Sequence, residues 1–320
     1  MKQNIWRDGI LGLVVGDALG VPVEFSDRKD RELDPVTGMR AYGTHNQPAG
    51  TWSDDSSMTL ATLDSIKQEG KIDYKDIMCK FAQWCLYGDY TPFHEVFDIG
   101  TATSRAIIQY SKGTDPIASG GKTEWDNGNG SLMRILPACL YLYNRQKMIC
   151  TSEDESIYII HNVSSLTHAH LRSQIACGIY YFLVKSVIAS NSDMLTSLQQ
   201  GINDACHYYR RDLNNYVELE HFSRLFDLKT FGQLPKSQIK SSGYVVDTLE
   251  AVVWCLLTTA SYKDAVLQAV NLGDDTDTIG AITGSLAGLY YGYNAIPAEW
   301  LKELQCREWI EKLICNDSTV

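Results

Sequence analysis

Helical periodicity runs through almost the whole chain and leaves little room for other secondary structure. Apolar residues recur at the spacing of one helix face in segment after segment, whereas no stretch alternates apolar and polar residues as a ladder of paired strands would. The chain is therefore predicted to be all-α. The predicted helices span 6–19, 57–68, 74–87, 101–111, 131–145, 154–166, 171–189, 193–209, 215–226, 244–260, 262–271, 277–291 and 298–313.

Nothing in the sequence marks a boundary between domains. The chain has 320 residues, 44% of them hydrophobic, with only 8 prolines and no linker rich in proline or serine. That is enough apolar material for one large core. We predict a single compact multi-helix domain over residues 1–320. Within the predicted helix 131–145, Pro137 should either kink the helix or mark its true start.

Charge and cysteine content restrict the partners and the compartment. A formal net charge of -11 opposes extended binding to nucleic-acid backbones, which depends on basic residues. The 9 cysteines are scattered without a C-x-x-C pair, which favours reduced core thiols over disulfides.

Arg7, Asp8 and Asp17 interrupt the apolar residues at the start of the chain, which therefore predicts neither a signal peptide nor a membrane span. We expect a cytoplasmic protein without membrane attachment.

Three glycines of the first predicted helix, Gly12, Gly16 and Gly20, recur at every fourth position. In a membrane protein this spacing would favour a helix dimer, but charged residues interrupt the segment here. We interpret it as a stripe of small residues that lets another helix pack close.

Three segments rich in Gly, Asp and Asn, at 48–57, 120–131 and 272–278, separate predicted helices. We expect the chemistry there, because loops on a rigid scaffold commonly carry function. The first segment holds Ser53, Asp54 and Asp55 just before a predicted helix. On their own, these residues could simply serve helix capping, with Asp55 or Ser56 as the capping residue.

The third segment places Asp274, Asp275 and Asp277 before another apolar helix. One residue suffices to cap a helix, and three close carboxylates repel one another unless a cation offsets their charge. Hard divalent cations prefer oxygen ligands, so the two acidic segments predict a site for two Mg²⁺ ions, with Mn²⁺ as the alternative. Calcium is disfavoured because the EF-hand spacing is missing, and zinc because His168 and His170 have no neighbouring cysteine.

Six motifs, in this order, resemble those of the ADP-ribosylglycohydrolases, also known as the dinitrogenase reductase-activating glycohydrolase type. They are GDALG at 16–20 with Glu24, WSDDS at 52–56, NGSLMR at 129–134, THAH at 167–170, SGYVVDTLEA at 242–251 and the segment 275–280. The resemblance covers nearly the whole chain. It implies an all-α fold with a dinuclear metal cleft, in which magnesium assists hydrolysis of the bond between ADP-ribose and its acceptor.

The resemblance also assigns roles by position. It implies that Asp274 either lies just behind the metal ligands or constrains its loop. Ser53 stands where many members carry Thr, a change that keeps the hydroxyl ligand. The implied metal ligands are Ser53, Asp54, Asp55, Asp275, Asp277 and Thr278. The implied catalytic acids are Glu24, Asp54 and Asp55. The implied substrate-binding residues are Asn127, Gly128, Asn129, Gly130, Ser131, His168 and Tyr244.

Each assignment outside the acidic segments has a plain structural alternative. Loop 127–131 would receive the diphosphate or distal ribose on its backbone N–H groups, or it is an ordinary turn before a helix. Tyr244 would stack on the adenosine or only pack, and His168 would bind a phosphate or ribose or cap a helix start. Glu24, flanked by apolar residues, would transfer a proton near the metals, or it is a surface side chain.

The predicted activity is Mg²⁺-dependent hydrolysis of an N- or O-glycosidic bond, with ADP-ribosyl-arginine on protein as the first choice of substrate. Serine-linked, nucleobase-linked and O-acetyl conjugates of ADP-ribose are alternatives that the sequence does not separate. Two other classes stay open: a binding or immunity-type partner that occupies an ADP-ribosyltransferase, and a two-metal phosphoesterase that cuts ADP-ribose itself. The segment 204–240 is interpreted as a family-variable insertion that could shape acceptor choice.

Overall fold

The computed structural model of this chain describes residues 4–149 and 151–315. Its α-helices, numbered in chain order, are α1 (Ile5–Gly20), α2 (Arg28–Leu33), α3 (Asp54–Glu69), α4 (Tyr74–Tyr87), α5 (Thr101–Ser111), α6 (Leu136–Ile149), α7 (Glu153–Ser165), α8 (Leu171–Ala189), α9 (Met194–Tyr209), α10 (Leu213–Leu219), α11 (Leu228–Phe231), α12 (Val245–Leu257), α13 (Tyr262–Val270), α14 (Thr276–Tyr291), α15 (Ala298–Glu303) and α16 (Arg307–Cys315). Short 3-10 turns join several of them, and β pairing among the described residues is limited to isolated bridges. The predicted all-α fold is confirmed.

The predicted helix boundaries agree with the structure at α4, α5 and α8. Two N-terminal boundaries differ from the prediction by several residues. The helix predicted over 131–145 begins at Leu136, which confirms the alternative that Pro137 marks its true start, because the missing N–H and fixed φ of proline are tolerated in the first turn. The helix predicted from residue 57 begins at Asp54, so acidic residues form the first turn of α3.

Other differences concern short elements. The helices predicted over 215–226 and 298–313 are each broken in two, into α10 with a 3-10 turn and into α15 with α16. Helices α2 and α11 were not predicted, since 6 and 4 residues are too few to show an amphipathic period. Helices this short depend on tertiary contacts for their stability.

Helices α1 and α14 pack more closely than any side chain larger than glycine would allow. A Cβ atom at Gly12 would lie 2.3 Å from the carbonyl oxygen of Gly284, and one at Gly16 would lie 2.1 Å from that of Gly280. The predicted role of the glycine stripe, to let another helix pack close, is confirmed. The helix pair brings an early and a late segment of the chain into direct contact.

Capping residues delimit the helices that flank the acidic segments. Gly70 and Gly88 end α3 and α4 with φ angles of 65° and 69°. The N-cap of α3 is Ser53, whose side chain accepts a hydrogen bond from the Asp55 N–H. The expectation that Asp55 or Ser56 would be the cap was therefore wrong, because both residues lie inside the first turn.

One hydrophobic core connects the helices of the described residues. Of the cysteines that the structure describes, four are buried as free thiols, one is partly buried and three are exposed, so the expectation of core thiols holds for about half of them. Cys150 lies outside the described residues. Among the described helices, none is long and apolar enough to cross a membrane. That residues 1–320 form one domain throughout stays a prediction.

Candidate metal and substrate site

Asp17 organises the first acidic segment, a role that the sequence analysis did not assign to it. Its carboxylate accepts hydrogen bonds from the backbone N–H groups of Ser53 and Ser56, both at 3.0 Å, and from the Ser56 hydroxyl at 2.5 Å. A side chain of α1 thus satisfies free N–H groups at the start of α3. Asp54 and Asp55 are consequently not needed as caps. The signal that could have identified Asp17 is a carboxylate inside an apolar, glycine-rich helix.

Helix α14 brings the second acidic segment against the first. Asp277 packs beside Gly20 of α1, where a Cβ atom would lie 2.4 Å from the Asp277 backbone nitrogen. The Thr278 hydroxyl donates to Oδ2 of Asp55 at 3.3 Å, and the Ser53 hydroxyl donates to the same oxygen at 3.1 Å. Residues predicted as metal ligands on both segments therefore share one cleft.

The loop before α14 has an unusual backbone conformation. Gly273 and Asp274 have φ angles of 80° and 59°. The Phe25 N–H donates to the Asp274 carbonyl at 2.7 Å, and the Asp274 N–H donates to the Ser26 carbonyl at 2.9 Å. The Asp274 carboxylate accepts a hydrogen bond from the Ser241 hydroxyl at 3.2 Å. Of the two roles that the resemblance implied for Asp274, these contacts support the loop constraint.

The carboxylates of the cleft raise one another's pKa values. Burial raises the pKa values of Asp54, Asp55 and Asp277 well above the usual range, and neighbouring carboxylates add to each shift. Burial also raises the pKa of Asp275, against a hydrogen bond from Asn129. Oδ1 of Asp55 and Oδ2 of Asp277 are buried without a hydrogen-bond partner in the described part of the chain. Unsatisfied, buried carboxylate oxygens fit the donor set of a hard divalent cation.

Glu24 is buried at the edge of the same cleft, so the alternative that it is a surface side chain was wrong. It is 3% exposed, and its Oε2 lies 2.5 Å from Nε2 of His45. Burial raises its pKa far above the usual value, and Asp277 and Asp98 raise it further. Ligand atoms of Glu24, Asp275 and Asp277 lie within 4.8 Å of one another, as do those of Glu24, His45 and Asp98. Either group could hold a metal ion.

Sequence reasoning missed His45 and Asp98. His45 ends a three-residue 3-10 turn, and Asp98 lies in an irregular segment with a φ angle of 51°, which residue preferences do not predict. Only the tertiary structure places them beside Glu24. The available signal was weak: His45 precedes the segment 48–57 by a few positions.

The predicted substrate loop pairs with the start of α12. The Asn129 N–H donates to the Gly243 carbonyl at 3.0 Å, and the Val245 N–H donates to the Asn127 carbonyl at 3.0 Å. The side-chain amide of Asn129 donates to the Asp275 carboxylate at 2.6 Å. The loop therefore adjoins the acidic cleft directly.

His168 lies beneath the glycines of this loop. A Cβ atom at Gly130 would lie 2.8 Å from Cε1 of His168, and one at Gly128 would lie 3.4 Å from its Nε2. Burial lowers the pKa of His168 to about 3, so its ring is neutral near pH 7. The N-cap of α8 is His170, so the alternative that His168 caps a helix was wrong. Ser131 is fully buried.

Tyr244 immediately precedes α12 and is half-buried beside Gly128, with which it forms an isolated β-bridge. Its hydroxyl accepts a hydrogen bond from the Arg172 guanidinium at 3.1 Å. Arg172 in turn donates to the Glu218 carboxylate at 2.8 Å. Since Glu218 belongs to the segment 204–240, that segment is linked to the substrate loop through Arg172 and Tyr244.

Comparisons with known proteins agree with one another. A family model described as ADP-ribosylglycohydrolase matches residues 3–318. The chain is 31% identical to the ADP-ribosylarginine hydrolase Tri1 of Pseudomonas putida (strain GB-1), over 96% of this chain and 76% of that protein. It is 32% identical to the ADP-ribosyl-[dinitrogen reductase] glycohydrolase of Rhodospirillum rubrum, over 93% and 89%. A solved structure described as an ADP-ribosylglycohydrolase-related protein complex superimposes with a TM-score of 0.78 at 30% identity, covering 98% of this chain and 97% of that chain.

Proposed function

This chain belongs to the ADP-ribosylglycohydrolase family, and from that premise we propose that it releases ADP-ribose from modified arginine side chains of proteins. Family membership makes it an enzyme that hydrolyses linkages to ADP-ribose. The choice of arginine is supported by two relatives named as ADP-ribosylarginine hydrolases, 31% and 30% identical. The observation that carries the proposed reaction is the pair of buried, unpaired carboxylate oxygens at Asp55 and Asp277.

The proposed cofactor is a pair of Mg²⁺ ions, with Mn²⁺ as the alternative. Carboxylates and hydroxyls from two segments meet in one cleft, and such an excess of acidic groups suits two hard cations better than one. When bound, the ions supply Lewis acidity toward substrate oxygens and offset the repulsion among the acids. The residues that would hold them are Ser53, Asp54, Asp55, Asp275, Asp277 and Thr278.

Glu24 is the proposed acid and base. Hydrolysis breaks the bond between C1″ of the ribose and the guanidino nitrogen, and forms a bond from C1″ to the oxygen of water. One proton of that water must reach the leaving nitrogen. The raised pKa of Glu24 lets this side chain carry a proton within the cleft. Asp54 and Asp55 are proposed to stabilise the positive charge that develops on the ribose.

The nucleotide end of the substrate is proposed to lie along loop 127–131. Because Gly128 and Gly130 have no side chain, the loop lies close to the neutral His168 ring. This ring can form a hydrogen bond with a ribose or phosphate oxygen. Arg172 fixes the Tyr244 hydroxyl, so the Tyr244 ring is held in one position where it can stack on the adenosine.

The proposed reaction is tested with a protein that carries ADP-ribose on arginine, by mass spectrometry of the released nucleotide. We expect intact ADP-ribose in the presence of Mg²⁺ and none with EDTA. Release of AMP would instead indicate a phosphoesterase. Release only from serine-linked, nucleobase-linked or O-acetyl conjugates would overturn the choice of arginine as acceptor.

The alternative that this protein occupies an ADP-ribosyltransferase stays a prediction. Capture of a purified transferase in the presence and absence of EDTA would separate surface recognition from metal-dependent hydrolysis.

A further inference from the structure

Phe25 presents its ring to solvent from a constrained backbone. The side chain is 66% exposed, and its φ angle of 62° is one that bulky residues rarely adopt. Two hydrogen bonds hold this conformation, from the Phe25 N–H to the Asp274 carbonyl and from the Asp274 N–H to the Ser26 carbonyl. The loop that leads into the second acidic segment therefore fixes the backbone from which an exposed aromatic ring projects.

The Phe25 ring belongs to an aromatic rim, which consists of Phe25, His45 and Phe97. The His45 ring lies edge-on to Phe25, with ring centres 5.9 Å apart, and lies 5.0 Å from the Phe97 ring. Directly beside this rim are the carboxylates of Glu24 and Asp98, whose oxygens lie within 4.8 Å of a His45 ring nitrogen. The edge of the acidic cleft thus combines exposed aromatic surface with carboxylates.

We propose that the aromatic rim binds the guanidinium group of the acceptor arginine, with Phe25 as the contacting ring. The inference rests on the proposed hydrolysis of ADP-ribosyl-arginine and specifies which residues select the acceptor. A guanidinium is planar, delocalised and weakly hydrated, so it stacks on aromatic rings and pairs with carboxylates. A neutral serine or acetyl acceptor would gain neither contact.

The charge of the cleft favours the same occupant. The carboxylates of Glu24 and Asp98 lie beside His45 of the rim, within 4.8 Å of its ring nitrogen. Carboxylate oxygens in this position can accept hydrogen bonds from the N–H groups of a guanidinium that stacks on Phe25. Packing does not account for Phe25, since most of the ring is in solvent.

The experiment measures kcat/KM on a peptide that carries ADP-ribosyl-arginine, together with the inhibition constant of free ADP-ribose in the same assay. Phe25→Leu keeps an apolar side chain but removes the ring, and we expect kcat/KM to fall about two- to fivefold. Phe25→Trp should recover most of that loss. Phe25→Lys places a cation at the rim and should lower kcat/KM by about tenfold or more.

The inhibition constant for ADP-ribose, which lacks the acceptor, should stay within about twofold of the wild-type value in all three variants. Tyr158→Leu is the matched control, because Tyr158 is 64% exposed but lies on α7, outside the cleft. It should change neither constant.

Three results would overturn the proposal. Unchanged kcat/KM in both Phe25→Leu and Phe25→Lys would show that the ring does not contact the acceptor. Equal losses in kcat/KM and in ADP-ribose affinity would show that Phe25 maintains the shape of the whole cleft and does not bind the acceptor specifically. If the wild-type enzyme binds ADP-ribose but does not cleave the arginine conjugate, both the proposed acceptor and the proposed binding site for it are wrong.

Discussion

At the scale of single residues, the buried acids of the cleft lead us to expect that the folded protein is stabilised by a bound cation. Oδ2 of Asp277 is buried without a hydrogen-bond partner in the described structure, and Asp275, Asp17 and Asp98 add to its burial in raising its pKa. A buried charge in this position destabilises the folded state unless a positive charge compensates it. The carboxylates that serve the proposed chemistry therefore lower the stability of the folded protein when metal is absent.

Replacing Asp277 by Asn tests this dependence. We expect Asp277→Asn to stabilise the metal-free protein by roughly 1 to 2 kcal/mol, because it removes a repelled charge and keeps the shape. The same change should abolish the stabilisation by Mg²⁺ and lower turnover by about a hundredfold or more. Urea unfolding in EDTA and in Mg²⁺ measures both effects on stability.

The control for this variant is Asp154→Asn, which removes an exposed carboxylate that pairs with Arg211. It should leave the response to Mg²⁺ unchanged. A normal Mg²⁺ response in Asp277→Asn would exclude this carboxylate as a metal ligand.

The same carboxylates predict how stability changes with pH. Burial raises the pKa of Asp17 to about 6, although Ser56 and Ser53 donate hydrogen bonds that lower it. A carboxyl group whose folded-state pKa is raised stabilises the protein below its unfolded-state pKa, and this contribution is lost as pH rises through the folded-state value. We therefore expect the metal-free protein to lose stability between about pH 4 and pH 6, and further above it as Asp54 and Asp55 ionise.

Thermal unfolding in EDTA and in Mg²⁺ across this pH range provides the measurement. Stabilisation by Mg²⁺ should grow with pH, because the ligands must lose their protons to bind. A metal-free midpoint that rises steadily from pH 4 to pH 8 would contradict the shifts assigned to these acids.

At the scale of helices, contact between α1 and α14 positions the acids. A Cβ atom at Gly16 would lie 2.1 Å from the Gly280 carbonyl oxygen, so Gly16→Ala must push the two helices apart. We expect a loss of about 1 to 3 kcal/mol in the free energy of unfolding. Mg²⁺ affinity should fall as well, because Asp17 lies on α1 and Asp277 on α14.

Urea unfolding and calorimetric titration with Mg²⁺ measure the two effects of Gly16→Ala. Gly38→Ala is the control, since the nearest atom to its Cβ would be Nε1 of Trp300 at 3.5 Å. If Gly16→Ala binds Mg²⁺ as tightly as the wild type, the close approach of the helices does not set the geometry of the site.

Helices such as α9 could be predicted from the sequence because they bury one face, and that requirement imposes a period on the apolar residues. Helix α8 is buried on nearly all sides and was predicted, with both ends correct, from its long apolar run. The start of α6 was indicated only by Pro137, because the apolar residues before it are buried without being helical. Helix α2 has no periodic signal and is held by tertiary contacts of Arg28.

The acidic segments could be recognised in the sequence because several carboxylates close together repel one another unless a cation offsets their charge. The roles of Asp17, His45 and Asp98 could not be predicted, since each is a single polar residue whose role depends on a distant partner. Asp17 hydrogen-bonds to the start of α3, and His45 lies against Glu24, 21 positions earlier in the chain. Such contacts depend on the folded arrangement, and the sequence pattern around each residue does not name the partner.

At the scale of the whole molecule, Arg28 joins segments that are far apart in the sequence around the cleft. Its Nε donates to the Leu272 carbonyl at 2.7 Å, its Nη1 to the Lys236 carbonyl at 2.8 Å and its Nη2 to the Ile239 carbonyl at 2.7 Å. A planar guanidinium has several N–H groups in fixed directions and can donate to all three acceptors at once. The ammonium group of a lysine is compact and cannot reach all of them. Arg28 therefore holds the segment after Glu24 against the loop before α14.

Arg28→Lys is expected to keep the charge but lose most of this network. We predict a loss of about 1.5 to 3 kcal/mol in the free energy of unfolding and a weaker affinity for Mg²⁺, because Asp275 follows the loop that Arg28 anchors. Arg40→Lys is the matched control, since Arg40 pairs with Asp34, whose side chain is 68% exposed. Equal, small effects in both variants would mean that the acidic cleft keeps its shape without Arg28, and that the α1–α14 contact alone determines it.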